Sequence, residues 1–445
     1  MNTIAMDPEK LKGAIDRDLV VDLAKRVIET PSPTGEEADF ARLLTDVWAE
    51  LGLEASLQTL YEERFNAVGV LRGTDPSAPR VLFSGHLDTS VRGDEDWLVG
   101  PGWKNTTVVD GDFIYGNGIF NMKNALVSYT ALVDALNRLG RKLPGDIILA
   151  GTAGEIELAG IDEFQGRNYD SYGVGMKHLI SHGYTADYHI LGEPSGGIPI
   201  VGMMGTVWTK VTTHGTFAHT AFSDKQVSAV EESFLVWRAL DEWIEEFREK
   251  YRYMGISPQV NRAAIRGGAP WRAARTPARA SIYLDIRFPP DVYPIDVQRD
   301  FAAKVQQIAA TSLKKPVDVH FYMSRPGTRL PAVHPVIEEM VAAHSAVTGI
   351  DTPAEFAPPY CTDAIESNRY GIPTVVYGAG GRTTPTGTGF AEDDVRAQNG
   401  EFIYIDDMIE AAAAYGMAAA GLMDRGIEGI ARSREVMSLP GVLSD

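Results

Sequence analysis

Apolar residues in the first 200 positions occur in two patterns that follow one another along the chain: helical spacing, and short continuous runs typical of buried strands. Apolar residues at helical spacing predict helices over residues 16–29, 36–52 and 121–140. Strands that alternate with such helices predict an α/β fold with a mostly parallel sheet covered by helices. The predicted buried strands are short apolar or β-branched runs that end in loop-forming residues: 66–72, 80–85, 146–151 and 187–191.

The pattern changes near Gly202. Residues 205–214 alternate between apolar and polar side chains, as expected for an antiparallel strand with one exposed face. The β-α-β-β-α-β order that follows is typical of a split βαβ unit. Its other elements are a helix over 226–251, strands over 256–266 and 279–288, a helix over 294–312 and a strand over 316–322.

An α/β pattern returns after Arg325, with predicted helices over 335–348 and 403–423 and a strand over 373–378. We therefore expect one large α/β domain built from two segments, residues 1–202 and 324–445. A smaller α+β domain, residues 203–323, is inserted between them. The length of 445 residues fits this organisation, because domains average roughly 150 residues.

Composition narrows the class of protein. Hydrophobic residues make up 44% and charged residues 23%, which excludes a wholly disordered chain. Asp and Glu number 60 against 41 Lys and Arg, for a net charge of −19. This charge argues against nucleic acid or an anionic membrane as a partner. A small anionic ligand stays possible, because nearby arginines can outweigh a distant field.

The compartment is expected to be the cytoplasm. The only cysteine, Cys361, cannot form an internal disulfide or a zinc ribbon. The first residues include Asp7 and Glu9 and lack the apolar core of a signal peptide. The longest apolar run, residues 411–423, is shorter than the roughly 18 residues of a membrane span.

Candidate chemistry follows three of the predicted strands. His86, Glu155 and Glu193 come just after the strands over 80–85, 146–151 and 187–191. Because ligands of open α/β sheets bind at the carboxyl ends of the strands, we expect one shared cleft. Asp88 lies two residues after His86 and would hold the imidazole in place.

Several short motifs together resemble the M20 metallopeptidases and amidohydrolases. The resemblance covers nearly the whole chain and implies an α/β catalytic domain with an inserted domain that forms dimers. The motifs are SGHLDTS (84–90), GNGIFNMKNA (116–125), AGEIE (153–157), LGEP (191–194), THGTFAHT (213–220), RGGAPW (266–271), LDIRFPP (284–290), CTDA (361–364) and GIPTVVYGAG (371–380).

The resemblance implies two neighbouring divalent metals, from which this chain departs. The family's first metal is held by a His, a bridging Asp and a later acid, which fall on His86, Asn121 and Glu193. The ligands specific to the second metal fall on Ile156 and Ala397, and no histidine follows His344. We therefore expect one divalent transition metal per chain on His86, Asn121 and Glu193.

The donor set is one imidazole, one amide and one carboxylate, without a thiolate. It suits a hard or borderline ion, with Mn²⁺ as the first expectation and Zn²⁺, Co²⁺ or Fe²⁺ as alternatives. Two routes to a second metal stay open at this point. Glu157 or an acid near the C-terminus would have to replace the missing ligands.

The resemblance also assigns roles to other residues. Glu155 would be the general base, with Asp88 supporting the site. His219 would reach across a dimer interface to stabilise negative charge on the substrate. Arg287 occupies the D-x-R position of the family, and Arg272 lies in a nearby basic segment of the chain; both are candidates to bind a substrate carboxylate. The expected assembly is a homodimer or a higher even oligomer.

The missing second metal favours a substrate that accepts negative charge itself. One branch that the chain resembles, the 5-nitroanthranilate aminohydrolases, replaces an aromatic amine by hydroxyl and releases ammonia. Two alternatives are kept. One is an N-acyl amino acid amidohydrolase or a metallo-dipeptidase or carboxypeptidase. The other is a catalytically silent binding protein of the same fold.

Overall fold

A computed structural model describes residues 6–357, 360–380 and 399–438. The described residues form two compact units. The first contains the chain up to Gly202 and most of the chain from Leu330 onward. The second contains Met203–Arg329 together with a short stretch that ends at Cys361.

The helices and strands are numbered in chain order. The helices are α1 Pro8–Ala14, α2 Arg17–Ile28, α3 Ala38–Glu50, α4 Asn124–Arg138, α5 Val174–Ser181, α6 Ala229–Lys250, α7 Pro294–Ser312, α8 Pro335–Thr348, α9 Ala364–Arg369, α10 Ile405–Asp424 and α11 Gly426–Met437. The strands are β1 Glu54–Tyr61, β2 Arg64–Leu71, β3 Val81–His86, β4 Val108–Asp110, β5 Phe113–Tyr115, β6 Ile147–Thr152, β7 Tyr188–Leu191, β8 Ile200–Met203, β9 Gly205–His214, β10 Val260–Gly267, β11 Arg279–Phe288, β12 Val317–Arg325, β13 Thr328–Arg329, β14 Glu355–Phe356, β15 Thr374–Val376 and β16 Phe402–Tyr404.

The large sheet of the first unit has a parallel centre and antiparallel flanks. Its order includes β1-β2-β6-β3-β7-β15-β8. Strands β6, β3, β7 and β15 are parallel. The strand predicted over 66–72, β2, instead runs antiparallel to β6, and the tight turn at Glu62 and Glu63 makes it antiparallel to β1 as well. The α/β fold class is confirmed, and the parallel part is its centre.

Helices cover this sheet on both faces. On one face, Met176 and Leu179 of α5 pack against Leu82 and Ile148 of the sheet. On the other face, α10 lies against α4. The approach is close, since a Cβ added at Gly416 would lie 2.6 Å from a methyl carbon of Leu132. The alanine-rich run in α10 is thus a buried helix of small residues.

The second unit is the predicted split βαβ arrangement. Its sheet has the order β10-β11-β9-β12, and each neighbouring pair is antiparallel. Helices α6 and α7 contribute Trp243, Phe247 and Phe301 to its hydrophobic core, which also includes Val211 and Leu284 of the sheet. Among the residues that the structure describes, no helix has the length and apolar character needed to cross a membrane.

One departure from the predicted elements bears on the site. The helix expected from residue 121 begins at Asn124, as α4. Residues Ile119–Lys123 form a π turn, in which Asn121 has the extended angles φ −121° and ψ 96°. Helical periodicity continues through this turn in the sequence, so the pattern alone does not separate it from the helix.

Candidate metal centre

Three buried side chains meet at the carboxyl edge of the large sheet. His86 ends β3, Glu155 follows β6, and Glu193 follows β7. One nitrogen or oxygen atom from each lies within 4.8 Å of the others. His86 Nε2 is 3.7 Å from a carboxylate oxygen of Glu193 and 4.0 Å from one of Glu155. The three side chains that follow the predicted strands therefore lie close together, as expected for the carboxyl ends of neighbouring parallel strands.

Asn121 belongs to the same group. Its Oδ1 lies 3.1 Å from His86 Nε2, on the side of the imidazole that faces the two glutamates. The extended backbone of the turn before α4 places the amide there. The structure thus brings together His86, Asn121, Glu155 and Glu193, which supply one nitrogen and several oxygen donors. This donor set fits a hard or borderline divalent cation.

Asp88 holds the site in two ways. Its backbone carbonyl lies 2.8 Å from His86 Nδ1, while its carboxylate is 3.7 Å from that nitrogen. The carboxylate instead accepts the backbone N–H groups of Glu155 and Ile156 at 3.0 and 2.9 Å, and the Thr34 hydroxyl at 2.9 Å. Asp88 therefore orients the imidazole through its main chain and the Glu155 loop through its side chain.

The electrostatics of the group favour a bound cation. Burial raises the pKa of Glu193 to about 7, with the negative charge of Asp363 adding to the rise and His86 opposing it. Burial and the charge of Glu193 also raise the pKa of Glu155 well above its ordinary value. Burial alone would lower the pKa of His86, but Glu193 and Asp88 raise it overall. A divalent cation would relieve this repulsion between buried carboxylates.

Two further acids are part of this region. Asp363 is buried and accepts a hydrogen bond from the Thr152 hydroxyl at 3.1 Å. Glu401 accepts the backbone N–H groups of Phe120 and Asn121 at 2.9 and 3.1 Å. Burial raises the pKa of Glu401 to about 7, against the lowering effect of those N–H groups. The CTDA motif is the only sequence signal for Asp363, and no local pattern pairs Glu401 with Asn121.

The two positions expected to hold ligands for a second metal, residues 156 and 397, carry no metal-binding side chain. Ile156 is buried and offers only its backbone to Asp88. Glu157 is exposed, and the donor cluster forms without it. Ala397 lies outside the described residues. Within the part of the chain that the structure describes, His86, Glu155 and Glu193 form the single group of three such metal-binding side chains.

The remaining predicted site residues belong to the second unit. His219 is exposed, and its Nδ1 accepts the backbone N–H of Ala221 at 3.1 Å. Arg272 is exposed in the short turn Pro270–Arg272. Arg287 is buried, and its guanidinium contacts Asp285 at 2.7 Å and the Cys361 sulfur at 3.0 Å. The aspartate two residues earlier in the D-x-R motif therefore pairs with this arginine.

Comparison with known proteins gives consistent matches in sequence. The sequence profile of peptidase family M20/M25/M40 matches residues 82–420. A succinyl-diaminopimelate desuccinylase of Gluconacetobacter diazotrophicus is 25% identical over 276 residues, which are 60% of this chain and 66% of that protein, just under two thirds of it. An N-formyl-4-amino-5-aminomethyl-2-methylpyrimidine deformylase of Bacillus subtilis is 24% identical over 400 residues, 82% of this chain and 88% of that protein.

Solved structures match along most of the chain. Aminopeptidase PepT from Bacillus cereus superimposes with a TM-score of 0.67 at 19% identity, covering 92% of this chain and 100% of that one. A dipeptidase from Saccharomyces cerevisiae gives a TM-score of 0.71 at 15% identity, covering 95% and 100%. A Bacillus subtilis peptidase described as binding a dinuclear metal gives 0.58 at 12% identity, covering 91% and 97%. At these identities the likeness shows a shared fold.

Proposed function

Because the chain belongs to peptidase family M20/M25/M40, a family of metal-dependent hydrolases, we propose that it hydrolyses C–N bonds with one divalent cation. The cation would be held by His86, Asn121 and Glu193. The observation that carries the proposal is the donor group formed by His86, Asn121, Glu155 and Glu193. Residue 121 is an amide at the position of the family's bridging carboxylate, and residue 156 is an isoleucine at the position of a ligand to the second metal. A divalent cation held there would act as a Lewis acid and lower the pKa of water. Mn²⁺ is the first candidate.

Glu155 is the general base in this proposal. Its carboxylate is buried beside His86 and Glu193, where burial and the charge of Glu193 raise its pKa and so make it a stronger proton acceptor. It takes a proton from the attacking water and returns a proton to the departing nitrogen. Water oxygen bonds to the carbon, the C–N bond breaks, and the amine leaves. Asp88 keeps the Glu155 loop in place.

The first substrate candidate is an aromatic amine activated by a nitro group, 5-nitroanthranilate. Losing one group that stabilises an oxyanion costs about 3–4 kcal/mol in an amide hydrolase. A nitroaromatic ring takes up the developing negative charge itself, so it depends less on a second cation. The products would be 5-nitrosalicylate and ammonia. The replacement of a bridging carboxylate by Asn121 supports this choice.

Amide hydrolysis is the second candidate, and the names of the relatives favour it. The sequence relatives include a desuccinylase and a deformylase, and the structural neighbours include a dipeptidase and an aminopeptidase. The substrate would then be an N-acyl amino acid or a short peptide. Both candidates carry a carboxylate, for which Arg272 and Arg287 are the proposed partners. A homodimer formed through residues 203–323, with His219 acting across it, is also part of the proposal.

A substrate panel tests the proposal. The protein is stripped of metal, supplied with Mn²⁺, Zn²⁺, Co²⁺ or Fe²⁺, and assayed on 5-nitroanthranilate, N-acetyl amino acids, N-succinyl-diaminopimelate and dipeptides. Metal-dependent ammonia release from 5-nitroanthranilate, with slow amide cleavage, is the expected result. Rapid amide cleavage without ammonia release would establish the second candidate. Tight binding of these compounds without turnover under any metal would identify a silent binding protein.

A further inference from the structure

Glu401 touches the candidate metal centre from a distant part of the sequence. It lies 280 residues from Asn121, yet its Oε2 accepts the N–H of Asn121 and that of Phe120. We propose that Glu401 is a positioning residue, which fixes the backbone of Asn121 so that its amide oxygen points at the cation. The proposal rests on the metal site of the proposed function and adds a residue that the ligand set does not contain.

The turn that carries Asn121 depends on side chains for its shape. Because Asn121 has extended backbone angles, the regular helix ladder does not define its position. Asn124 Nδ2 donates to the carbonyls of Ile119 and Phe120, both at 2.8 Å. Glu401 accepts the N–H groups on the opposite side of the same turn. Together the two side chains hold the turn through its donors and its acceptors.

Glu401 is itself held firmly. Its neighbour Gly400 has φ +91°, and a Cβ there would lie 2.8 Å from an indole carbon of Trp103. A Cβ at Gly102 would lie 2.2 Å from the backbone nitrogen of Glu401. The N–H of Gly102 donates to the carbonyl of Asn399 at 2.8 Å. Gly102 and Gly400 therefore allow their two segments to approach closely. This contact places the Glu401 carboxylate beside the N–H groups of the turn that carries Asn121.

An amide ligand makes this positioning important. A carboxylate at residue 121 would be drawn to a cation by its charge, whereas an amide oxygen has only a dipole and must be aimed. Groups that orient metal ligands without touching the metal typically change metal affinity or activity about 10–100-fold when removed. Glu401 is expected to have an effect of this size through Asn121.

The experiment measures metal affinity directly. Mn²⁺ binding is followed by electron paramagnetic resonance titration for the wild-type chain, Glu401→Ala, Glu401→Gln and the control Glu410→Gln. Glu410 lies in α10 and pairs with Lys12 at 3.0 Å, so the control removes a carboxylate whose partner is a lysine side chain rather than the N–H groups of Phe120 and Asn121. Thermal unfolding of each metal-free variant reports on folding.

Glu401→Ala is expected to lower Mn²⁺ affinity about 10–100-fold. Glu401→Gln should lower it less, since its amide oxygen still accepts N–H bonds, and the control should match wild type. Turnover of the Glu401 variants should recover at saturating Mn²⁺, which a merely structural defect would not allow. If Glu401→Ala does not fold, a fall in affinity for Glu401→Gln beyond the control decides the test.

Unchanged Mn²⁺ affinity in a folded Glu401 variant would overturn the positioning role and leave the metal site standing. An equal loss in Glu410→Gln would overturn it too, because the effect would then be unspecific. Failure of the wild-type chain to bind any divalent cation would instead overturn the proposed function and, with it, the basis of this inference. The two failures are therefore distinguishable.

Discussion

At the scale of single residues, the glutamates of the site differ in role because their surroundings differ, although the residue type is the same. Glu193 and Glu155 face His86 at the sheet edge, where burial and mutual repulsion raise the pKa of each. Glu401 is half-buried, and its Oε2 is occupied by two backbone N–H groups. The first two are therefore suited to a cation or a proton, and the third to holding the chain.

Replacing Glu155 by Gln should strongly reduce turnover while the protein keeps the metal. The amide retains the shape of the side chain but cannot accept a proton from water, so kcat should fall about 10²–10⁴-fold. His86, Asn121 and Glu193 remain to bind the cation. Steady-state kinetics and the metal content of the purified variant check this. Glu435→Gln, on the exposed side of α11, is the control. Turnover close to wild type in Glu155→Gln would refute its role as the base.

At the scale of elements, buried helix ends carry their own titratable groups. His334 precedes α8, and its Nδ1 accepts the backbone N–H of Val336 at 3.2 Å. Its Nε2 lies 3.0 Å from the Ser433 hydroxyl of α11. Burial lowers the pKa of His334 to about 4. The cap is therefore made by a neutral imidazole.

The contribution of His334 to stability should accordingly fall as the pH drops below about 6.5, the ordinary pKa of His. The unfolded chain takes up a proton at His334 near that pH, whereas the folded chain resists it down to a pKa of about 4. The stabilising contribution of His334 is therefore fully present above a pH of about 6.5. It falls by roughly 3 kcal/mol as the pH drops to about 4.

Urea unfolding between pH 7.5 and 5 measures this effect. His334→Asn keeps a residue able to cap α8 and should show a shallower loss of unfolding free energy with falling pH than wild type. The comparison variant is His219→Asn, which makes the same change at an exposed cap and should keep the wild-type slope. Parallel slopes for His334→Asn and wild type would contradict the prediction.

At the scale of the whole molecule, a bound metal is expected to stabilise the folded chain. We expect at most one ion per chain. The ligands come from three separate stretches, at the end of β3, before α4 and after β7, so a bound cation connects them only in the folded chain. A ligand that binds only the folded state adds about 2.7 kcal/mol at a hundred times its dissociation constant.

Removal of the metal by a chelator should therefore lower the unfolding temperature, and adding Mn²⁺ back should restore it. Elemental analysis should find at most one ion per chain, in contrast to the structural neighbour described as dinuclear. Calorimetry with and without chelator, on samples of known metal content, provides both readouts. A content near two ions per chain would show that residues other than Ile156 complete a second site.

Much of the fold was predictable because its signals are local. The helices α7 and α8 and the strands β9 and β11 have the bounds that the sequence pattern predicts, since periodicity depends on neighbours a few residues away. The direction of β2 was not predictable in this way. It depends on a reversal of the chain after β1, a strand whose mixed polar and apolar residues give a weak pattern.

The sequence by itself determined which chemical groups are available: an imidazole at His86, an amide at Asn121, carboxylates at Glu155 and Glu193, and an alkyl group at Ile156. Only the tertiary structure decided their distances, their shared burial and the pKa changes that follow from it. It also decided that Glu401 and Asp363 join them. Contacts across hundreds of residues depend on how the whole chain packs, and no local spacing records them.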